Sequence, residues 1–352
     1  MKCELQTLSP THIGNGKVLN PIEYVVDDMF YCIDMDKLFQ DKDFNSKLFT
    51  NNISRGKKII LGEFAKNVAK RNLKYKLSIS DSTKKNLLEV IRTRSAEVKE
   101  QIKTINKHYI PGSSIKGALR TAYMYWKLKN DPRLMNKGIK DLIIAMKKKR
   151  VDIRFVDEVI ERRVFGSDPT RDIFKTLQIS DSEPYDASSM EIDEVRTLTT
   201  TKQRGHTWKR FKTFVEAVKK NQKTYLNINC TKNLISDISE ATYEFSDALI
   251  KYELNFYNNY NTNYYLDDII DFYEDLQSIN TKNCNNLLHI AWGAGWHSMT
   301  IGLLLKNKNI FFDIRKKFRL GKTFIPEFPK TRKLIFEKEY PVYPLGWMQL
   351  KF

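Results

Sequence analysis

The stretch from Tyr109 to Trp126, YIPGSSIKGALRTAYMYW, leaves the middle of the chain few conformations. Pro111-Gly112 carries turn chemistry, Ser113 or Ser114 is a suitable N-cap, and Ile115, Leu119, Ala122 and Trp126 recur at helical spacing. These features predict a helix that starts at the serines. Its first turn would hold backbone N–H groups without intrahelical partners and the positive end of the macrodipole, so a phosphate placed there finds donors and favourable charge. Lys116 and Arg120, four residues apart, are expected to flank that position on one face. Gly117 has no helical purpose and is less favourable than Ala by up to about 1 kcal/mol, which calls for another backbone or a ligand close by. The same residues also suit a capped core helix, and local sequence does not choose between the two.

Around this helix the periodicity changes repeatedly. Cys3 to Leu8 alternates as a strand does, Ser9 to Gly16 breaks the pattern, and Tyr24-Val25-Val26 with Phe30 to Ile33 predict a hairpin turning at Asp27-Asp28. From Asp36 to Ile105 the pattern is helical, with Leu87, Leu88, Ile91, Val98, Ile102 and Ile105 on one stripe of a long helix. A second helical insertion, about 127-163, includes the basic run Lys147-Lys148-Lys149-Arg150 and the apolar Val156, Val159 and Ile160. Val164 to Pro169 reads as a loop and Leu177 to Ser182 as a short strand. Thr199 to Arg210 reads as a mobile basic loop, before Phe214 to Val218 and Tyr225 to Ile228 as paired strands.

Composition shifts after Asn233. Ten acidic residues stand against one basic residue, Lys251, between Asp237 and Asp275. The apolar stripe through Leu234, Ile238, Ala241 and Phe245 predicts an acidic helical hairpin, about 234-279, on the far side from any basic surface. A glycine-rich turn, Gly293-Ala294-Gly295-Trp296-His297, then precedes a helix from Met299 to Leu305 and a terminal strand. β-rich ends with helices between them predict an α+β fold of two related domains.

With 352 residues and 41% hydrophobic content the chain can bury a sizeable core. Its formal net charge of +18 points to an anionic partner, with nucleic acid ahead of a membrane surface. Neither a long apolar run nor the apolar region of a signal peptide is present, so a soluble, intracellular protein is expected. Cys3, Cys32, Cys230 and Cys284 are scattered without a C-x-x-C pair, which argues against zinc or a disulfide framework. No metal or cofactor is expected.

Two nucleotide motifs fail. Gly112 to Gly117 has the first spacing of a P-loop, but Ala118 stands where the lysine belongs, and Gly293-Ala294-Gly295 lacks the third glycine of a dinucleotide fingerprint. Gly293 and Gly295 are better read as admitting an extended phosphate chain, with Trp296 available for base stacking or for the core. Metal-independent RNA cleavage needs only a His or Lys at the scissile phosphate. Of His12, His108, His206, His289 and His297, two lie beside glycines, and His12 and His297 would meet at one site if both halves face one groove. Asp34, Asp36 and Asp181 are isolated carboxylates.

LSPTHIGNG at Leu8 to Gly16, IPGSSIKGALR at Ile110 to Arg120, VFGSD with the later LQISDS, FVEAV, WGAGWHSMTIG at Trp292 to Gly302 and the terminal PLGW resemble, in this order, the RAMP proteins of CRISPR systems. Among them the chain is most similar to the subtype III-A (Csm) effector-complex subunit that caps the crRNA 3′-end side of the filament. The resemblance implies two ferredoxin-like (RRM-type) domains, 1-232 with helical insertions about 36-105 and 127-163, and 233-352 with the acidic hairpin and a glycine-rich loop at 292-302. It also implies a cytoplasmic, crRNA-binding protein that contributes to crRNA maturation and antiviral defence without catalysis of its own. The expected partners are the other Csm subunits, above all the backbone RAMP subunit, with a trimming nuclease as a further candidate. Carried over by motif, the RNA contacts are His12, Gly14, Ser113, Ser114, Lys116, Arg120, Gly293, Gly295 and His297, to which Gly117 and Trp296 are added by the readings above. Met299 departs from the polar residue expected in a phosphate-gripping loop. The competing reading is a metal-independent endoribonuclease that uses His12 or His297.

Overall fold

In the computed structural model, residues 1–93, 96–147, 158–168, 170–201, 205–281, 286–321 and 327–352 are described. Two sheets organise an α+β chain. Alternation at Cys3, Leu5 and Thr7 buries one face of the Lys2–Thr7 strand. That strand lies at the middle of a five-stranded sheet ordered Asn286–His289, Trp347–Lys351, Lys2–Thr7, Lys223–Asn229, Gln178–Ile179. The larger sheet has ten strands and centres on Met190–Thr200, which pairs with Thr213–Val218 on one side and with Thr331–Glu337 and Leu73–Ile79 on the other. Both sheets therefore combine strands from either side of residue 232.

The Gly112–Asn130 helix packs between layers. Ile115, Leu119 and Tyr123 join Leu5 and Leu226 in the main core, while Ala122 and Tyr125 join Phe245 and Leu249 of the Lys232–Tyr260 helix in a second one. The acidic hairpin, Lys232–Tyr260 with Asp267–Ile279, is present as expected but not on a remote side. It lies on the central helix, whose basic last turn meets it through Lys129 Nζ and Glu244 Oε2 at 2.7 Å. Among the described residues no helix is long and apolar enough to cross a membrane.

Several sequence readings are corrected. The supposed long helix ends at Thr93. Val98–Gln101 is instead a strand, parallel to Phe214 and Val215 and antiparallel to Val18, and Ile105 sits 90% exposed at positive φ in the following hairpin. The apolar residues beyond Thr93 matched a helical period only because a strand follows a helix there, so the 36-105 insertion is only partly helical. Thr213–Val218 and Lys223–Asn229 are strands of different sheets. The turn between them is pinned to the first strand, with Thr7 Oγ1 donating to Lys219 O at 2.6 Å and accepting from Gln222 N at 2.8 Å. The break at Ser9 to Gly16 ends earlier than expected, because Gly14–Leu19 is a bulged edge strand. Val164 and Phe165 close the Glu158–Phe165 helix rather than open a loop. Much of the expected loop from Thr199 to Arg210 is strand, since Thr199 and Thr200 pair with Thr207 and His206. Met299 to Leu305 is broken at Thr300-Ile301 into two short helices. Lys148 to Arg150, Val156, Pro169, residues 202–204 and Cys284 lie outside the described residues.

Candidate nucleic-acid interface

The segment after the first strand is fixed by backbone bonds on both sides. Thr11 exchanges two with Val218, each 2.9 Å, and His12 O accepts from Trp292 N at 3.2 Å. The glycine-rich segment is thereby held beside the early loop. Between them and the start of the central helix lies a cleft of about 620 Å³. His12, Gly14, Ser113, Ser114 and Gly117 line it, as the sequence predicts. Lys17, Lys99, His289, Trp292 and Met299 complete its walls.

The helix start differs from expectation in one respect. Pro111, not a serine, occupies the N-cap position, and Gly112 N donates to Asp181 Oδ1 at 2.9 Å. A carboxylate of the chain itself thus takes the first free N–H. Gly112 is required by packing, because a Cβ there would lie 2.4 Å from Ile179 O. Gly117 is different: a Cβ would meet nothing within 4 Å, so no part of this chain's backbone explains the glycine.

Lys116 and Arg120 are placed away from the cleft. Lys116 Nζ donates to Leu177 O at 2.7 Å. Arg120 pairs with Asp172 Oδ2 at 2.7 Å and Glu161 Oε2 at 3.4 Å, and its guanidinium lies 3.6 Å from the Phe165 ring centroid. Both cations hold neighbouring segments on the helix, the opposite of flanking a vacant phosphate position. In the glycine-rich segment, a Cβ at Gly293 would lie 2.6 Å from Leu345 O, so close approach of the bend between the last two strands explains that glycine. Gly295 adopts φ +69° and opens the Gly295–Met299 helix. Trp296 packs against Phe328 and Phe311 with centroids 5.0 and 5.7 Å away and covers Gly302, so the half-buried ring lies against the core and not on the wall of this cleft.

The histidines do not assemble a cleavage site. His12 is buried at 2% exposure, and its Nδ1 lies 2.7 Å from Glu216 O. A carbonyl only accepts, so Nδ1 carries the proton and Nε2 is a bare acceptor. Burial, aided by the charges of Lys99 and Lys333, pulls its pKa down to about 4. His297 is not on the cleft. It donates through Nε2 to Phe328 O at 3.1 Å and packs edge-on to Tyr252, and burial holds its pKa at about 3. His289 does reach the cleft, but both nitrogens are engaged, Nε2 donating to Leu345 O at 2.9 Å and Nδ1 accepting from Ser298 Oγ at 2.7 Å.

The cations of the cleft are ones that motif reading passed over. Lys17, on the adjoining edge strand, and Lys99, 5.8 Å from the Trp292 ring centroid, line it, whereas Lys333 is not on its wall: its ammonium lies 4.0 Å from that centroid and donates to Trp292 O at 2.9 Å. Among the described residues none of the three has a carboxylate partner. Burial, and after it the nearby Lys99 charge, pull the Lys333 pKa below the ordinary lysine range. Trp292 was legible as the first tryptophan of WGAGW, whereas Lys99 was hidden in a strand misread as helix.

A long chain, an α+β fold and a basic cleft between an early loop and a glycine-rich segment define the kind of protein this is. The RAMP superfamily model matches residues 4–296, and the chain belongs to that family. It is 23% identical over 390 residues to the CRISPR system Cms protein Csm5 of Methanocaldococcus jannaschii, an alignment covering 99% of this chain and 88% of that one. Among solved structures it is similar to a chain in a cryo-EM structure of a Csm–crRNA–target RNA ternary complex of a type III-A CRISPR-Cas system, with a TM-score of 0.76, 25% identity and 100% coverage of both chains. The crystal structure of Csm5 from T. onnurineus shares the fold, with a TM-score of 0.69 and 23% identity over 98% of this chain and 99% of that one.

Proposed function

We propose that this protein is a crRNA-binding structural subunit of a type III-A CRISPR (Csm) effector complex, without nuclease chemistry of its own. It caps the 3′-end side of the filament, contacts the other Csm subunits and works in the cytoplasm. In this reading residues 1-232 and 233-352 are two ferredoxin-like halves that close around each other, since strands of both halves share both sheets. The observation that carries it is the pair of ammonium groups without a carboxylate partner, Lys17 and Lys99, beside Trp292 in a cleft rimmed by the Ser113-Ser114 helix start, with Lys333 adding positive charge next to that ring. An RNA backbone supplies the missing negative charge, and Trp292 offers a face for a base. Gly117 leaves room for the strand. The comparison with a chain from a Csm–crRNA–target RNA complex supports the ligand. His12, Gly14, Ser113, Ser114 and Gly117 remain in the proposed RNA-contacting set. Lys116, Arg120, Gly293, Trp296 and His297 shape its surroundings, and Gly295 sets the turn.

The test is a salt titration of binding to a labelled single-stranded repeat RNA. For the wild type, affinity falls steeply with salt, and the slope decreases by about 0.7 for each lysine that contacts a phosphate and is replaced by Ala. Lys17→Ala and Lys99→Ala are expected to flatten it, and Lys116→Ala to leave it unchanged. A Lys17→Ala, Lys99→Ala double variant that binds as tightly as wild type would overturn the assignment.

A further inference from the structure

Beside its lysines the cleft holds a hydrogen-bond acceptor that cannot also donate, the Nε2 of His12. His12 is fixed by the Nδ1 hydrogen bond to Glu216 O at 2.7 Å and by the edge-on Trp292 ring at 5.9 Å between centroids. Its Nε2 meets no hydrogen-bond partner among the described residues and lies at the cleft wall, next to Gly14. A Cβ on Gly14 would come within 3.1 Å of Nε2, so the glycine leaves that lone pair uncovered. The buried imidazole stays neutral at ordinary pH, and a neutral acceptor repels phosphate oxygens rather than holding them.

We infer that His12 Nε2 accepts a hydrogen bond from a ribose 2′-hydroxyl and so makes the cleft selective for RNA over DNA. The inference rests on the RNA-binding reading above and deepens it. On an RNA backbone the phosphates only accept hydrogen bonds, and the sugar group that donates is the 2′-OH. Lysines that bind phosphates attract RNA and DNA alike, so an uncovered acceptor among them is the element able to separate the two. The fixed Nδ1–H bond matters because it excludes the tautomer in which Nε2 would donate.

The experiment measures the affinity of the full chain for one sequence made as RNA, as DNA and as 2′-fluoro RNA, all at the same salt. The 2′-fluoro strand cannot donate from the sugar. Wild type is expected to prefer RNA to both analogues by about 3- to 10-fold, the worth of one hydrogen bond. In His12→Phe the RNA-to-DNA ratio falls toward one. Gly14→Ala, which keeps the imidazole and covers Nε2, is expected to do the same, and this second variant guards against a loss of folding in the first. Equal binding of RNA and 2′-fluoro RNA by wild type, or a preference retained in both variants, overturns the inference alone. Failure of wild type to bind any of the three strands overturns the RNA reading and the inference with it.

Discussion

Lys103 Nζ lies 2.8 Å from Glu216 Oε2, and the Glu216 side chain is 0% exposed. The carboxylate also accepts from Tyr75 OH at 2.6 Å and Gln101 N at 2.9 Å. Burial opposes its charge, yet His108, Lys103 and Tyr75 hold its pKa below the ordinary glutamate range. Gln101 in turn accepts from Ile13 N at 2.6 Å, so the pair underpins the segment that carries His12. Glu216→Gln removes the closer countercharge and leaves the Lys103 ammonium only Glu100 Oε1, at 3.5 Å, a change expected to destabilise by about 2 kcal/mol. Urea unfolding at pH 7 should show a lower midpoint with an unchanged slope. An unaltered midpoint would mean that water already screens the pair.

Gly117 lies within the Gly112–Asn130 helix with open space beside it. Gly117→Ala should therefore raise stability by up to about 1 kcal/mol through helix propensity, while it lowers RNA affinity because the added methyl group faces the cleft. Thermal unfolding and an RNA titration on the same sample check both signs. Gly112→Ala makes the contrasting control and should destabilise, since its Cβ would lie 2.5 Å from Ser180 O.

Acid should destabilise the fold earlier than its carboxylates alone would require. His12 and His289 have folded-state pKa values near 4 and His297 near 3, all pushed down mainly by burial. Below the unfolded value of about 6.5 the unfolded chain takes up protons that the native state refuses, so stability is full above that pH and declines as pH falls toward 4. The expected loss is roughly 1 kcal/mol per histidine per pH unit in that window. Melting temperatures at pH 7.5 and 5.0 measure it. His297→Gln, which keeps a donor for Phe328 O, should reduce the difference.

Much of the cleft was readable because its contributors are rare residue types at turns. His12, Gly14, Ser113, Ser114 and Gly117 were found through turn and helix-start chemistry, which is local. Lys99 and Lys333 were not found, because a lysine on a strand gives no sign of where its sheet neighbours will direct it. Lys116 and Arg120 misled for the complementary reason: their acceptors, Leu177 O and Asp172, lie more than fifty residues further along the chain. The fold shows the same division. The acidic hairpin and the first β-hairpin follow from short-range pattern, whereas the 11-residue Met190–Thr200 strand at the centre of the large sheet escaped notice, its polar Glu191, Asp193, Glu194 and Arg196 hiding the strand alternation.

In the smaller sheet, Trp347–Lys351 lies between Lys2–Thr7 and Asn286–His289. In a growing chain the first strand therefore keeps one edge unpaired until Trp347–Lys351, more than three hundred residues later, has been made. Lys333 and Trp292 are late arrivals too. A product that stops before residue 347 leaves Asn286–His289, the strand that leads into the cleft residues His289 to Trp292, without its pairing partner, and so long-range a contact is expected to make folding slow.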